Sequence, residues 1–184
     1  MELQDRTWNP LASTEINKED RFCELGMGGG GVFVLSFVGE SHHRFSPAAI
    51  CLINELLDSL SGCNMPDQTT HRNSCLTPVS RDEKARLLIT TNQGKFFSDG
   101  MDVNYLGCTD RERPVEYLMS FQKLVSKLLT FHLPTIAVIR GHAVGVGCIF
   151  ALAHDYRLMS SDHGYVFMNE VNLVPVGESW IFNC

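Results

Sequence analysis

Residues 134–171 read PTIAVIRGHAVGVGCIFALAHDYRLMSSDHGYVFMNEV, and the fold follows from this stretch. Thr135 to Ile139 is an apolar run of the length of a buried strand. Gly141 and Gly145-Val146-Gly147 break it into a turn, and an apolar helix from Gly147 to Ala153 follows. Short strands are expected at Tyr156–Met159 and Tyr165–Met168. A strand entering a small-residue turn at the start of a helix leaves backbone N–H groups unpaired and aimed at whatever sits there. Glu170, among apolar neighbours, is a carboxylate placed to hold a proton near neutral pH. Donors for a developing oxyanion together with one base are the equipment of enolate chemistry.

Working upstream, Val32 to Val38 (VFVLSFV) reads as another strand. Pro47 suits the first turn of a helix with Ser46 as its cap, and PAAICLINELLDSL carries an apolar stripe at 50, 53, 56, 57 and 60. Residues 61–84 are polar and turn-rich, a loop insertion. Ala85 to Thr91 is a strand, and Asn92 to Asp102 (NQGKFFSDGMD) a turn that buries two phenylalanines and exposes backbone at Gly100. Pro114 to Thr130 reads as an amphipathic helix with Tyr117, Leu118, Phe121, Leu124, Val125, Leu128 and Leu129 inward. Strands alternating with helices make the class α/β, with right-handed crossovers. Residues 1–31 are polar and aperiodic, a loose extension ending in a glycine run. That run lacks the Gly-Lys-Ser/Thr of a phosphate loop and reads as a hinge.

A chain of 184 residues suffices for one domain burying roughly 70% of its unfolded surface. The net charge of -6, with Lys and Arg scattered, argues against a nucleic-acid partner. Seven cysteines, an odd number without a CxxC pair, point to free thiols in a reducing compartment. The N-terminus carries no signal-peptide pattern, and the longest apolar run, Ala143 to Ala153, is too short to span a bilayer. Phe182-Asn183-Cys184 is no peroxisomal address. The histidines lack metal-ligand spacing, so no metal is expected.

Two turns carry the candidate chemistry. In Phe97-Ser98-Asp99-Gly100-Met101-Asp102 the glycine permits an unusual backbone angle or a close ligand, and in Gly145-Val146-Gly147 the Val146 N–H lies at a helix start. If the turns lie side by side, Met101 N–H and Val146 N–H grip one oxygen. The residues alone leave open that each is only a tight strand-to-helix turn. Asp99 and Asp102 read as caps, Asp155 as structural, and Cys148 and His142 as packing. Phe96, Phe97, Phe167 and Met168 read as core.

GKFFSDGMD, followed some forty residues on by PTIAVIRGHAVGVG and then by MNEV, resembles the enoyl-CoA hydratase/isomerase (crotonase) superfamily. HRF around Arg44, LLITTNQGKFFSDGMDV, GHA and ALAHDYRLM make the chain most similar to plant monofunctional Δ3,Δ2-enoyl-CoA isomerases. The resemblance covers Val32 to Leu173 apart from 61–84. It implies a ββα spiral core over 32–173 and a fatty acyl-CoA thioester lying across the two turns. Its carbonyl oxygen would accept from the backbone N–H groups of Met101 and Val146. Ser98, Asp99, Gly100, Met101, Asp102 and Val103 would line the CoA side, with Gly145, Gly147 and Ile149 completing the binding set. No cofactor is implied beyond the coenzyme A of the substrate. In the family's hydratases two glutamates act on water; one position is Ile149 here, the other Glu170. With one carboxylate left, the resemblance implies double-bond transposition from C3 to C2, Glu170 moving a proton from C2 to C4, as in β-oxidation of unsaturated fatty acids. Hydration or thioester hydrolysis, or a non-catalytic CoA-binding subunit, are the other readings. The resemblance implies a trimer-based homo-oligomer and a peroxisomal setting, while the missing C-terminal address gives the cytosol as the expectation if the chain is complete as given.

After Asn172-Leu173 the resemblance stops, and 174–184 (VPVGESWIFNC) read as a divergent tail. The expectation is a shortened chain without the family's C-terminal helices, exposing apolar surface that those helices bury.

Overall fold

The computed structural model describes residues 9–12, 22–39, 42–62, 85–106 and 112–168. Glu170, the tail at 174–184 and residues 63–84 of the expected insertion lie outside the described residues. Residues 61 and 62 close a helix rather than open a loop.

The chain begins with an antiparallel meander of β1 (Asn9–Ala12), β2 (Cys23–Gly28) and β3 (Val32–Phe37), with Leu25 opposite Leu35. Over residues 9–12 and 22–31 this corrects the expected loose extension. Cys23 and Leu25 are each 2% exposed and belong to the core. Gly26 and Gly28 mask the strand in the sequence, yet the ladder to β3 supplies the order that propensity lacks. The glycine run is the hairpin turn between β2 and β3.

Helix α1 (Pro47–Gly62) follows, with Ser46 Oγ accepting the Ala49 N–H at 3.2 Å, an N-cap as expected. Its stripe, Ile50, Ile53, Leu56, Leu57 and Leu60, is at most 2% exposed. Next come β4 (Leu87–Asn92), β5 (Phe96–Ser98), α2 (Val103–Leu106), α3 (Glu112–Leu129), β6 (Thr135–Ile139), β7 (His142–Val144), α4 (Val146–Leu152), β8 (Tyr156–Met159) and β9 (Val166–Phe167). In α3, Tyr117, Phe121, Leu124 and Leu128 face inward, but Leu129 is 65% exposed. It follows Leu128 by about 100° around the helix, which carries it off the stripe.

Two sheets result. The larger runs β1-β2-β3-β4-β6-β8, parallel from β3 onward; the smaller runs β5-β7-β9, all parallel. From β4 onward each turn of the chain lays one longer strand in the first sheet and one short strand in the second, and after β5 and β7 a helix follows. The fold is the ββα spiral that the resemblance implies. The stretches expected as turns at 92–102 and 141–147 thus contain β5 and β7.

Asn92 stitches two corners of this spiral. Its amide donates to Phe96 O at 3.0 Å and Gly94 O at 3.2 Å, and its carbonyl accepts the Arg140 N–H at 2.9 Å. Both exits from the large sheet are therefore tied to one buried side chain. Asp155 is structural, as expected, accepting from Thr135 N (2.8 Å) and Thr135 Oγ1 (2.9 Å).

His154 is 3% exposed, hydrogen-bonded through Nε2 to Thr90 Oγ1 and through Nδ1 to Phe150 O, both at 2.9 Å. Burial pushes its imidazole from 6.5 down to about 4. Between those values the unfolded chain binds a proton that the folded chain refuses, so stability present above pH 6.5 is lost on acidification and levels off below about pH 4. Urea midpoints measured across this window should fall as pH falls, and His154→Gln should flatten that part of the profile. An equally steep decline in the variant assigns the effect elsewhere.

Phe33, Phe37, Phe45, Phe97 and Phe150 are each at most 1% exposed and form the centre of the core. At the far end of the spiral Leu152, Tyr156 and Leu158 are 57%, 64% and 60% exposed. Phe167 and Met168, expected in the core, are 41% and 46% exposed, because β9 is the outer strand of its sheet. No helix among the described residues is long and apolar enough to cross a membrane.

Candidate active site

The first turn continues β5 and is held along one edge by residues 42–45. Asp99 N donates to His42 O (2.8 Å), Ser98 Oγ to His43 O (2.8 Å), and Phe45 N to Gly100 O (2.9 Å). The Gly100 N–H in turn reaches Ser98 Oγ at 3.2 Å. In a planar trans peptide the C=O and the following N–H point opposite ways. Because Gly100 O faces Phe45, the Met101 N–H faces away from it, toward the edge where β7 lies. Gly100 has φ 100°, and a methyl there would stand 3.4 Å from Val144 O and 4.0 Å from Val146 N. The two turns are neighbours.

The second turn sends the chain from β7 into α4. Gly145 O accepts from Cys148 N (2.9 Å) and Ile149 N (3.3 Å), so it faces into the helix and the Val146 N–H faces out. Among the described residues, neither the Met101 nor the Val146 amide donates to a backbone carbonyl in a turn or cap. Ser98 is the register partner of Ala143, and Met101 and Val146 each lie three residues beyond. Both amides lie past the strand ends, and a methyl on Gly100, the residue before Met101, would stand 4.0 Å from Val146 N, so the two amides are close.

Gly147 makes this approach possible. A methyl at 147 would lie 2.7 Å from Ser98 O and 2.7 Å from Ser98 Cβ. Gly147→Ala is therefore expected to destabilise the fold by about 1–3 kcal/mol through overpacking against backbone. Intrinsic helix propensity alone predicts the opposite, a gain of about 1 kcal/mol. Urea unfolding decides between them, and a stabilised variant would show the contact to be loose.

The structure thus brings together Ser98, Gly100, Met101, Gly145, Val146 and Gly147, all buried except the partly exposed Val146. Ile149 is partly buried and packs against the core from α4. Asp102 caps α2, its Oδ1 accepting the Asn104 N–H at 3.1 Å, while Val103 is 49% exposed. Cys148 is buried. His142 packs between the Phe96 ring (5.0 Å) and the Tyr165 ring (3.9 Å). Glu170 lies outside the described residues.

Three features were not anticipated. Asp99 is no cap: its Oδ2 accepts from Arg44 Nη2 and lies beside His42 Nδ1, each at 3.1 Å. Asn92 fixes the corners that lead into both turns. Tyr117, anticipated only as packing, places its hydroxyl between Phe45 O and the Asp102 N–H. A tyrosine on an otherwise apolar stripe was the available signal, since a buried phenol finds a polar partner.

The enoyl-CoA hydratase/isomerase family model matches residues 66–181. The chain belongs to the enoyl-CoA hydratase/isomerase family. Within it, the chain is 34% identical to enoyl-CoA delta isomerase 3 of Arabidopsis thaliana, over 80% of this chain and 56% of that one. It is also 34% identical to the peroxisomal enoyl-CoA delta isomerase 2 of the same plant, over 78% of this chain and 55% of that one. An enoyl-CoA hydratase from Mycobacterium smegmatis has the same fold, with TM-score 0.69 and 17% identity over 84% of this chain and 53% of that one. The chain spans about half the length of the curated relatives it matches.

Proposed function

We propose that this chain serves the transposition of a C3 double bond of a fatty acyl-CoA ester to the 2-trans position. The observation that carries the reading is the pair of neighbouring turn amides, Met101 and Val146, without backbone acceptors in turns or caps among the described residues. In this reading both donate to the thioester carbonyl oxygen. Glu170 removes a proton from C2, the electron pair delocalises into a dienolate held by the two amides, and Glu170 returns the proton at C4. Charge develops on the oxygen where the donors already point, the source of the largest catalytic term in such sites. Ile149 cannot ionise, so the wall where a hydratase has its second glutamate offers no base for water. The resemblance to two plant delta isomerases supports transposition over hydration. The coenzyme A of the substrate is the only coenzyme the reaction needs. The same resemblance supports a peroxisomal role in β-oxidation of unsaturated fatty acids and assembly as a family-type homo-oligomer.

The test is a product assay on the purified 184-residue chain with a 3-enoyl-CoA ester. The 2-trans ester should accumulate without 3-hydroxyacyl-CoA. Accumulation of the hydroxy ester refutes transposition, and release of free CoA indicates a thioester hydrolase. Binding without turnover marks a non-catalytic CoA-ester-binding chain, a reading favoured by the exposed apolar residues at the β8–β9 end.

A further inference from the structure

Tyr117 is 3% exposed on α3, with the Tyr105 ring edge-on to it at 4.9 Å. Its hydroxyl donates to Phe45 O and accepts the Asp102 N–H at 2.9 Å, so both of its roles are occupied. Phe45 and Met101 form an isolated parallel bridge. One side of that bridge is direct, Phe45 N–H to Gly100 O at 2.9 Å. A regular parallel bridge would close its other side with the Asp102 N–H on Phe45 O. Here the phenol stands between those two groups.

Met101 is flanked by two planar peptides. Phe45 N holds the first through Gly100 O, and the Tyr117 hydroxyl holds the second through Asp102 N. The same hydroxyl anchors Phe45 through its carbonyl, so it steadies both sides of the bridge. With neither peptide free to turn, the direction of the Met101 N–H is set before any ligand arrives. Burial pushes the phenol up to about 12, so it keeps its proton throughout the neutral range.

We infer that Tyr117 is a positioning residue whose hydroxyl, clamped between Phe45 O and the Asp102 N–H, aims the Met101 amide at the ligand's carbonyl oxygen. The inference rests on the oxyanion reading proposed above. A purely packing role for Tyr117 would be kept by phenylalanine; an aiming role would not.

The experiment uses the full 184-residue chain and an acyl-CoA thioester conjugated to a dialkylaminophenyl ring. The absorption of this probe moves to longer wavelength when its carbonyl oxygen accepts hydrogen bonds. The unmutated chain should shift the probe, and Tyr117→Phe should bind it within about threefold of the same Kd yet lose over half of the shift. Turnover of a 3-enoyl-CoA ester should fall in kcat by about tenfold, less than loss of a whole donor, with KM little changed. A full shift with unchanged kcat in Tyr117→Phe overturns the inference and leaves the oxyanion reading intact. An unmutated chain that does not shift the probe overturns the oxyanion reading, and the inference with it. Should Tyr117→Phe fail to fold, 3-fluorotyrosine placed at 117 keeps the ring and both bonds while altering donor and acceptor strength. A displaced absorption maximum then supports the inference, and an unchanged one overturns it.

Discussion

Replacing Glu170 by glutamine is expected to lower turnover of a 3-enoyl-CoA ester by about 10²–10⁴-fold, the usual worth of a general acid–base group. The amide keeps the size of the side chain and its ability to accept a hydrogen bond, but it cannot take the C2 proton. The ester should still bind, because the proposed contacts to its carbonyl come from the backbone of Met101 and Val146 rather than from residue 170. The loss should therefore appear in kcat with KM little changed, the pattern of an interaction made in the transition state. Exchange of the C2 protons with solvent deuterium, followed by NMR on a saturated acyl-CoA ester, isolates the first half-reaction. It should stop in Glu170→Gln. Continued exchange at the unmutated rate would remove Glu170 from the mechanism.

A loss of comparable size in stability is expected from Phe150→Ala. Phe150 is 1% exposed, and its ring meets Phe45 at 5.0 Å, Phe37 at 5.9 Å and His154 at 5.3 Å. These partners come from β3, from the segment beside the first turn and from the end of α4, so one ring ties together both halves of the site. Truncating such a side chain removes its transfer free energy and leaves a cavity, costing about 3–5 kcal/mol. In a chain of this size the melting temperature should fall by roughly 10 °C. Leu152→Ala on the same helix is the control: Leu152 is 57% exposed, and its loss should cost no more than about 0.5 kcal/mol. Similar losses in both variants would show that the aromatic hub is not the cause.

Long apolar strands and the amphipathic stripes of α1 and α3 were legible in the sequence because burial imposes a period on them. Strands β6 and β8 fall on the expected residues. The small sheet was not legible. Phe96–Ser98 and His142–Val144 are three residues each, too short for a period to emerge, and they become strands only when the corners bring them together. Strand β2 was hidden by its glycines, since its order comes from a partner strand. At the site, the glycines were legible because close backbone approach excludes a Cβ, as Gly147 against Ser98 illustrates. Tyr117 and Asn92 were not, because their hydrogen bonds reach residues up to 72 and 48 positions away. Partner identity over such separations is a property of the folded chain.

The equal offset of Met101 and Val146 from the register pair Ser98 and Ala143 has a consequence for how such a chain varies. The gap between the two amides is set by the backbone of the turns that follow β5 and β7, and the side chains of Met101 and Val146 do not enter it. Point substitutions can exchange the groups around the gap, trading Ile149 for a carboxylate or reshaping the approach, while the gap keeps its width. Adding or deleting a residue in either turn would carry one amide away from the corner and leave the other behind. Tolerance to replacement and intolerance to changes of length therefore both follow from a site made of turn backbone.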